Sequence, residues 1–291
     1  MPQTDKCKFK TGTVTSADGT IIGYRQIGTG PGVILVHGGM ASSQSLMKLA
    51  RSLTDSFAVY IPDRRGRGLS GPFGDDYGIQ KEVEDLGALL TKTGAHNVFG
   101  LSSGALISLQ AALKLPSIHK TALYEPPLAI DHSIIDIVAS SMQRFDREIE
   151  DGKLAAALVT VLKDLELLPR SLLSILPRFL LERFFTLAMR EDAKNIKEGY
   201  VPLQTLIHTQ HYDYQLVIET EGTLENFKEL NAEVLLLGGS KSPSFLKNTL
   251  DALNKALPNV KCVVVPGLDH VAPTDNGNPE RVAQELRHFF A

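Results

Sequence analysis

The chain has 291 residues, 43% of them apolar and 22% charged, with a formal charge of −3. This is an ordinary globular composition, enough for one large α/β domain or two smaller ones, with no electrostatic basis for binding nucleic acid or an acidic membrane surface. The start, Met1 to Lys6, lacks the apolar core of a signal peptide and no later run is long enough to cross a bilayer, so a soluble cytoplasmic protein is expected.

Residues 9 to 27 are predicted as two antiparallel strands joined at Ser16-Ala-Asp-Gly19, where Asp-Gly signals a tight turn. After Gly30-Pro-Gly32, the run Val33 to Val36 is unbroken and apolar. That pattern predicts a strand covered on both faces, as in a parallel sheet. It ends in His37-Gly-Gly-Met40. A helix over about Ser42 to Leu53 leads to the strand Phe57 to Ile61, which runs into Asp63-Arg-Arg-Gly-Arg-Gly-Leu-Ser70. The next helix, Gln80 to Thr93, carries Val83, Leu86, Leu89 and Leu90 at helical spacing.

Asn97 to Gly104 is the stretch around which the rest is organised. Val98 to Leu101 reads as a strand and Ala105 to Leu115 as a helix stopped by Pro116; between them lies Gly100-Leu-Ser-Ser-Gly104. A Gly-x-Ser-x-Gly pattern on a strand-to-helix turn strains its serine and raises the hydroxyl above the sheet, which requires small neighbours. Ser102 is therefore the candidate nucleophile, and the Ser103 amide points to where an oxyanion would form. The strand Thr121 to Tyr124 ends in Glu125-Pro-Pro127, where two prolines forbid further ladder bonding.

From about Leu128 to Asn226 there are helical patterns without core strands: Ile134 to Ile149, Leu154 to Leu168 and Ser171 to Met189. The last is apolar over most of its length, from Leu172 and Leu173 through Phe184 and Phe185 to Leu187. It is expected to be largely covered by the main domain or a ligand. His208 and His211 have no third ligand nearby, and Cys7 and Cys262 lack metal or redox spacing, so no metal is expected. Tyr212 and Tyr214 are candidates for the pocket wall. Alternation resumes with the strand Glu233 to Leu237, a helix from Pro243 to Leu257 and the strand Lys261 to Val265. The final helix starts at Asn278-Pro279 and is expected to bury Val282, Leu286 and Phe289. The alternation predicts a parallel sheet with helices on both faces and a ligand site at the carboxyl ends of the strands. Residues 1–127 and 227–291 are assigned to this core, and 128–226 to an inserted helical cap.

Four stretches, each after a strand and in this order, give the chain its resemblance to the α/β-hydrolases over nearly its whole length. They are His37-Gly-Gly39, Asp63-x-Arg-Gly-x-Gly-x-Ser70, Gly100-x-Ser-x-Gly104 and Gly267-Leu-Asp-His270. The resemblance implies a mostly parallel eight-stranded sheet with a helical cap after the sixth strand, and no cofactor. It makes His37-Gly-Gly39 the oxyanion loop, so that Gly38 and Gly39 join Ser103 in the oxyanion hole. It makes Asp63 to Ser70 a structural element; a phosphate-binding reading of its three arginines is set aside, because surface arginines are commonly solvated.

A serine hydroxyl needs a base within reach. Of the 8 histidines, His270 is the one in a short loop after a late parallel strand. The acid departs from the commoner pattern. Its usual place after the seventh strand reads Gly238-Gly-Ser-Lys-Ser-Pro243, and a Ser242 hydroxyl cannot support an imidazolium as a carboxylate does. Ser242 before Pro243 reads instead as a helix cap. Glu125, at the end of the sixth strand, is the alternative acid, a position used by haloalkane dehalogenases and zearalenone-type lactonases; Asp269 is a weaker candidate. The expected activity is hydrolysis of a carboxylic ester or lactone of a fairly apolar small molecule, with a homodimer compatible. Carbon–carbon bond hydrolysis of a diketone, a ligand-binding receptor that retains the triad, and a lyase or cyclase remain open.

Overall fold

The computed structural model describes residues 9–168, 175–195 and 199–291. Cys7 and the expected helical residues Ser171 to Ser174 lie outside them.

The strands are β1 (Lys10–Thr15), β2 (Ile21–Ile27), β3 (Gly32–Val36), β4 (Ala58–Pro62), β5 (Asn97–Leu101), β6 (Lys120–Tyr124), β7 (Glu233–Gly239) and β8 (Val260–Val265). They form one 8-stranded sheet in the order β1-β2-β4-β3-β5-β6-β7-β8. β1 and β2 are antiparallel, as are β2 and β4, and every other neighbouring pair is parallel. The unbroken apolar strands are explained by their two faces. Val33 and Leu35 join one buried cluster with Phe99, Leu101, Ala122 and Tyr124, while Ile34 and Val36 join the other with Val98 and Leu123.

The first cluster is covered by α1 (Met47–Leu53) and α10 (Pro279–Phe290), through Leu49, Leu53, Val282 and Leu286. In α10 it is Phe290 that is buried, whereas Phe289 is half-buried. The other face is covered by α2 (Ile79–Thr93), α3 (Ser103–Lys114) and α9 (Ser244–Ala256). Ser242 does not cap α9: Pro243 is the N-cap residue, and the buried Ser242 hydroxyl has no hydrogen-bond partner among the described residues.

Between β6 and β7 the chain is helical: α4 (His132–Glu150), α5 (Leu154–Asp164), α6 (Arg178–Asp192), the single turn α7 (Leu203–Leu206) and α8 (Gln210–Ile218). Asp131 caps α4 by accepting from the Ser133 and Ile134 amides. The third of these helices departs from expectation. It starts at Arg178, and only Leu181 and Met189 on it are buried, while Phe179, Phe184 and Leu187 are 66%, 50% and 54% exposed. Leu181 and Met189 are eight residues apart and so share one narrow stripe, which packs toward α5. The apolar residues off that stripe face outward. Leu181→Ala is expected to cost about 2–5 kcal/mol and Phe184→Ala less than about 0.5 kcal/mol, read from urea denaturation midpoints.

Candidate active site

The register of the central strands sets the site. Leu101 pairs with Tyr124, and Tyr124 with Leu237, so Ser102, Glu125 and Gly238 are the next residues on three adjacent strands. The ladder extends one step further, with the Ser102 amide donating to the Tyr124 carbonyl at 2.9 Å and the Glu125 amide to that of Leu237 at 3.0 Å. Ser102 then turns sharply, with φ 56° and ψ −124°, and α3 begins at Ser103. A non-glycine residue in this region is strained. The flanking glycines are required by close approach. A Cβ on Gly100 would lie 2.4 Å from the Gly104 carbonyl oxygen, and one on Gly104 would lie 2.5 Å from the Val36 and His37 carbonyl oxygens.

Glu125 is fully buried and also has a positive φ, of 50°. Its carboxylate has two partners. Oε1 accepts from the Gly239 amide at 2.6 Å, and Oε2 lies 2.7 Å from His270 Nδ1. The loop after β8 that carries His270 is itself held, because the Tyr124 hydroxyl donates to the Asp269 carbonyl at 2.7 Å. Ser102, Ser103, Gly38, Gly39 and His270 line one cavity of about 210 Å³. The remaining wall is mostly apolar and includes Ile134 and Val138 of α4, Val161 and Leu162 of α5, and Tyr214 and Val217 of α8. Among the described residues, α6 contributes none to this wall.

The sequence pattern of the alpha/beta hydrolase fold family matches residues 31–276. The chain belongs to that family. Over 278 residues, 92% of this chain and 91% of the relative, it is 23% identical to the 2-(acetamidomethylene)succinate hydrolase of Mesorhizobium japonicum. It is 33% identical over 115 residues to an uncharacterised hydrolase, YraK, of Bacillus subtilis, a match spanning 38% of this chain and 42% of that one. Among solved structures, an alpha/beta hydrolase from Sphaerobacter thermophilus superposes with a TM-score of 0.76 at 28% identity, covering 96% of this chain and 100% of the other.

In this alpha/beta hydrolase the loop from His37 to Gly39 is braced by a buried polar layer that residue type and spacing alone did not reveal. His37 is fully buried; its Nε2 accepts from the Arg64 amide at 3.2 Å, so Nδ1 carries the proton and donates to the Gly38 carbonyl at 2.9 Å. Burial, together with the Arg67 and Arg64 charges, pushes its pKa well below the ordinary imidazole value and keeps it neutral. Asp63 accepts from the Ser43 amide at 2.6 Å and the Leu69 amide at 2.9 Å, tying the two loops together.

Arg64, Arg65 and Arg67 are buried, not solvated. Arg64 pairs with Glu82 and with Asp213, both at 2.8 Å, Arg67 with Asp213 at 2.6 Å, and Arg65 with Asp85 at 2.6 Å. Asp213 Oδ1 also accepts from Ser103 Oγ at 2.7 Å. Burial raises the Asp213 pKa, but Arg67 and Arg64 outweigh it, and the group stays below the usual carboxylate range. The available signal was the cluster of arginines at a strand end, where a buried location demands carboxylates elsewhere in the chain. Asp213→Asn keeps the shape but leaves two buried guanidiniums short of one anion. It is expected to cost about 3–5 kcal/mol in chemical denaturation.

Proposed function

We propose that this hydrolase acts on uncharged carboxylic esters or lactones through a Ser102–His270–Glu125 triad, with the amides of Gly39 and Ser103, supported by Gly38, as the oxyanion hole. The observation that carries this reading is the 2.7 Å contact of His270 Nδ1 with the buried Glu125 carboxylate, beside the strained turn that holds Ser102. With Nδ1 occupied, His270 Nε2 is the nitrogen that takes the Ser102 proton. Ser102 Oγ then attacks the acyl carbon, and the oxyanion is held by the two amides. The tetrahedral intermediate collapses and expels an alcohol protonated by His270. Water attacks the acyl-enzyme, His270 removes its proton, and Ser102 is released with the acid.

The apolar wall supports an uncharged substrate. Among the described lining residues there is no lysine or arginine to receive a carboxylate. The helices of 128–226 serve in this reading as a cap that sets substrate size, through α4, α5 and α8. A second reading, hydrolysis of an amide by the same groups, is favoured by the relative named for 2-(acetamidomethylene)succinate. Parallel assays on p-nitrophenyl butyrate and butyryl p-nitroanilide separate the two.

Ser102→Ala is expected to lower kcat for p-nitrophenyl butyrate by about 10³–10⁶ and to abolish fluorophosphonate labelling, with Ser103 still present. Unchanged turnover by the folded variant rules out Ser102 as the nucleophile. Glu125→Gln, which keeps the side-chain shape, is expected to lower kcat by about 10²–10⁴ in the same assay.

A further inference from the structure

Among the described residues, the polar side chains in the cavity wall outside the catalytic pair are, with one exception, already engaged. Ser103 Oγ donates to Asp213, and the remaining oxygen of Asp213 accepts from Arg67. The Tyr214 hydroxyl pairs with Ser141 Oγ at 2.7 Å, and Thr274 Oγ1 donates to the Val271 carbonyl at 2.8 Å. Ser102 and His270 belong to the chemistry. Gln210 is the exception: it lines the cavity, is 5% exposed, and its carboxamide has no hydrogen-bond partner among the described residues. A buried amide without partners is costly, and one that faces a cavity is satisfied by whatever fills it.

Its position is well defined. Gln210 Oε1 lies 2.8 Å from where a Cβ would sit on Gly39, so only glycine at 39 lets the carboxamide stand against the oxyanion loop. Gln210 and Asp213 lie one helical turn apart on the same side of α8. Asp213 is clamped by Ser103, Arg64 and Arg67, so α8 cannot rotate without breaking buried charged hydrogen bonds.

We propose that Gln210 is a substrate-recognition residue that hydrogen-bonds an oxygen or N–H substituent next to the scissile carbonyl. The carboxamide offers both donor and acceptor. Its place beside Gly39 puts it within reach of atoms adjacent to a carbonyl whose oxygen sits on the Gly39 amide. The substrate class is then an uncharged ester or lactone with an alkoxy, hydroxy or amido group near the acyl carbon. This rests on the serine-hydrolase reading above.

The test compares p-nitrophenyl butyrate with p-nitrophenyl methoxyacetate, in which an ether oxygen replaces a methylene at the same chain length. Gln210→Leu is expected to lower kcat/KM for the methoxyacetate about tenfold relative to the butyrate, mainly through KM, the worth of one neutral hydrogen bond. Gln210→Met gives the same comparison if the leucine variant does not fold. An equal loss on both esters would make Gln210 an oxyanion donor or a packing residue, and no loss on either would leave it without a role; both outcomes overturn the proposal. If Ser102 is labelled by fluorophosphonates but neither ester turns over, the ratio is read from labelling rates with propyl and methoxymethyl fluorophosphonates. If wild-type protein neither hydrolyses the esters nor is labelled, the serine-hydrolase reading fails first and this proposal falls with it.

Discussion

The arrangement at the strand ends depends on a carboxylate with no access to water. Glu125 is fully buried, and an isolated buried anion is too costly to survive unless hydrogen bonds compensate it. The compensation comes from two directions, the Gly239 amide and the His270 ring. This explains a feature of the loop after β7. That loop lacks the acid usual in the family and supplies a backbone donor to an acid from the neighbouring strand instead. Gly238 assists, because a Cβ there would lie 3.2 Å from Glu125 Oε1 and 2.5 Å from Leu250 Cδ1. The positive φ of Glu125 is local strain offset by these partners.

A second buried layer lies behind the loop from His37 to Gly39. Arg64 and Arg67 face Glu82 and Asp213, two cations against two anions, with the Tyr77 hydroxyl donating to Glu82 at 2.8 Å. The layer thus leaves these four side chains without net charge beside the Gly39 and Ser103 amides. It also joins elements remote in sequence, since Asp213 comes from α8 and the arginines from the loop after β4. Changes in α8 therefore reach Ser103 and the loop after β4 directly, through Asp213.

The helices between β6 and β7 divide their work. α4, α5 and α8 turn apolar side chains into the cavity, whereas α6 packs by a narrow stripe and leaves Phe179, Phe184 and Leu187 to the outside. Apolar content alone did not distinguish these roles, because a helix buries only the face a neighbour reaches.

The sequence by itself determined the succession of strands and helices and the α/β class, through unbroken apolar runs that only a doubly covered sheet can accommodate. It also located Ser102 and His270 on the turns after their strands, and singled out Glu125 because no carboxylate lies between Gly238 and Pro243. These signals are local, carried by adjacent residues and strand ends. Tertiary structure alone decided that Glu125 meets the His270 ring, that Arg64 and Arg67 are buried against Asp213, that Gln210 faces the cavity without a partner among the described residues, and that α6 turns Phe179 and Phe184 outward. Each of these depends on which distant segment fills the space beside a side chain, and residue type and spacing carry no record of that neighbour.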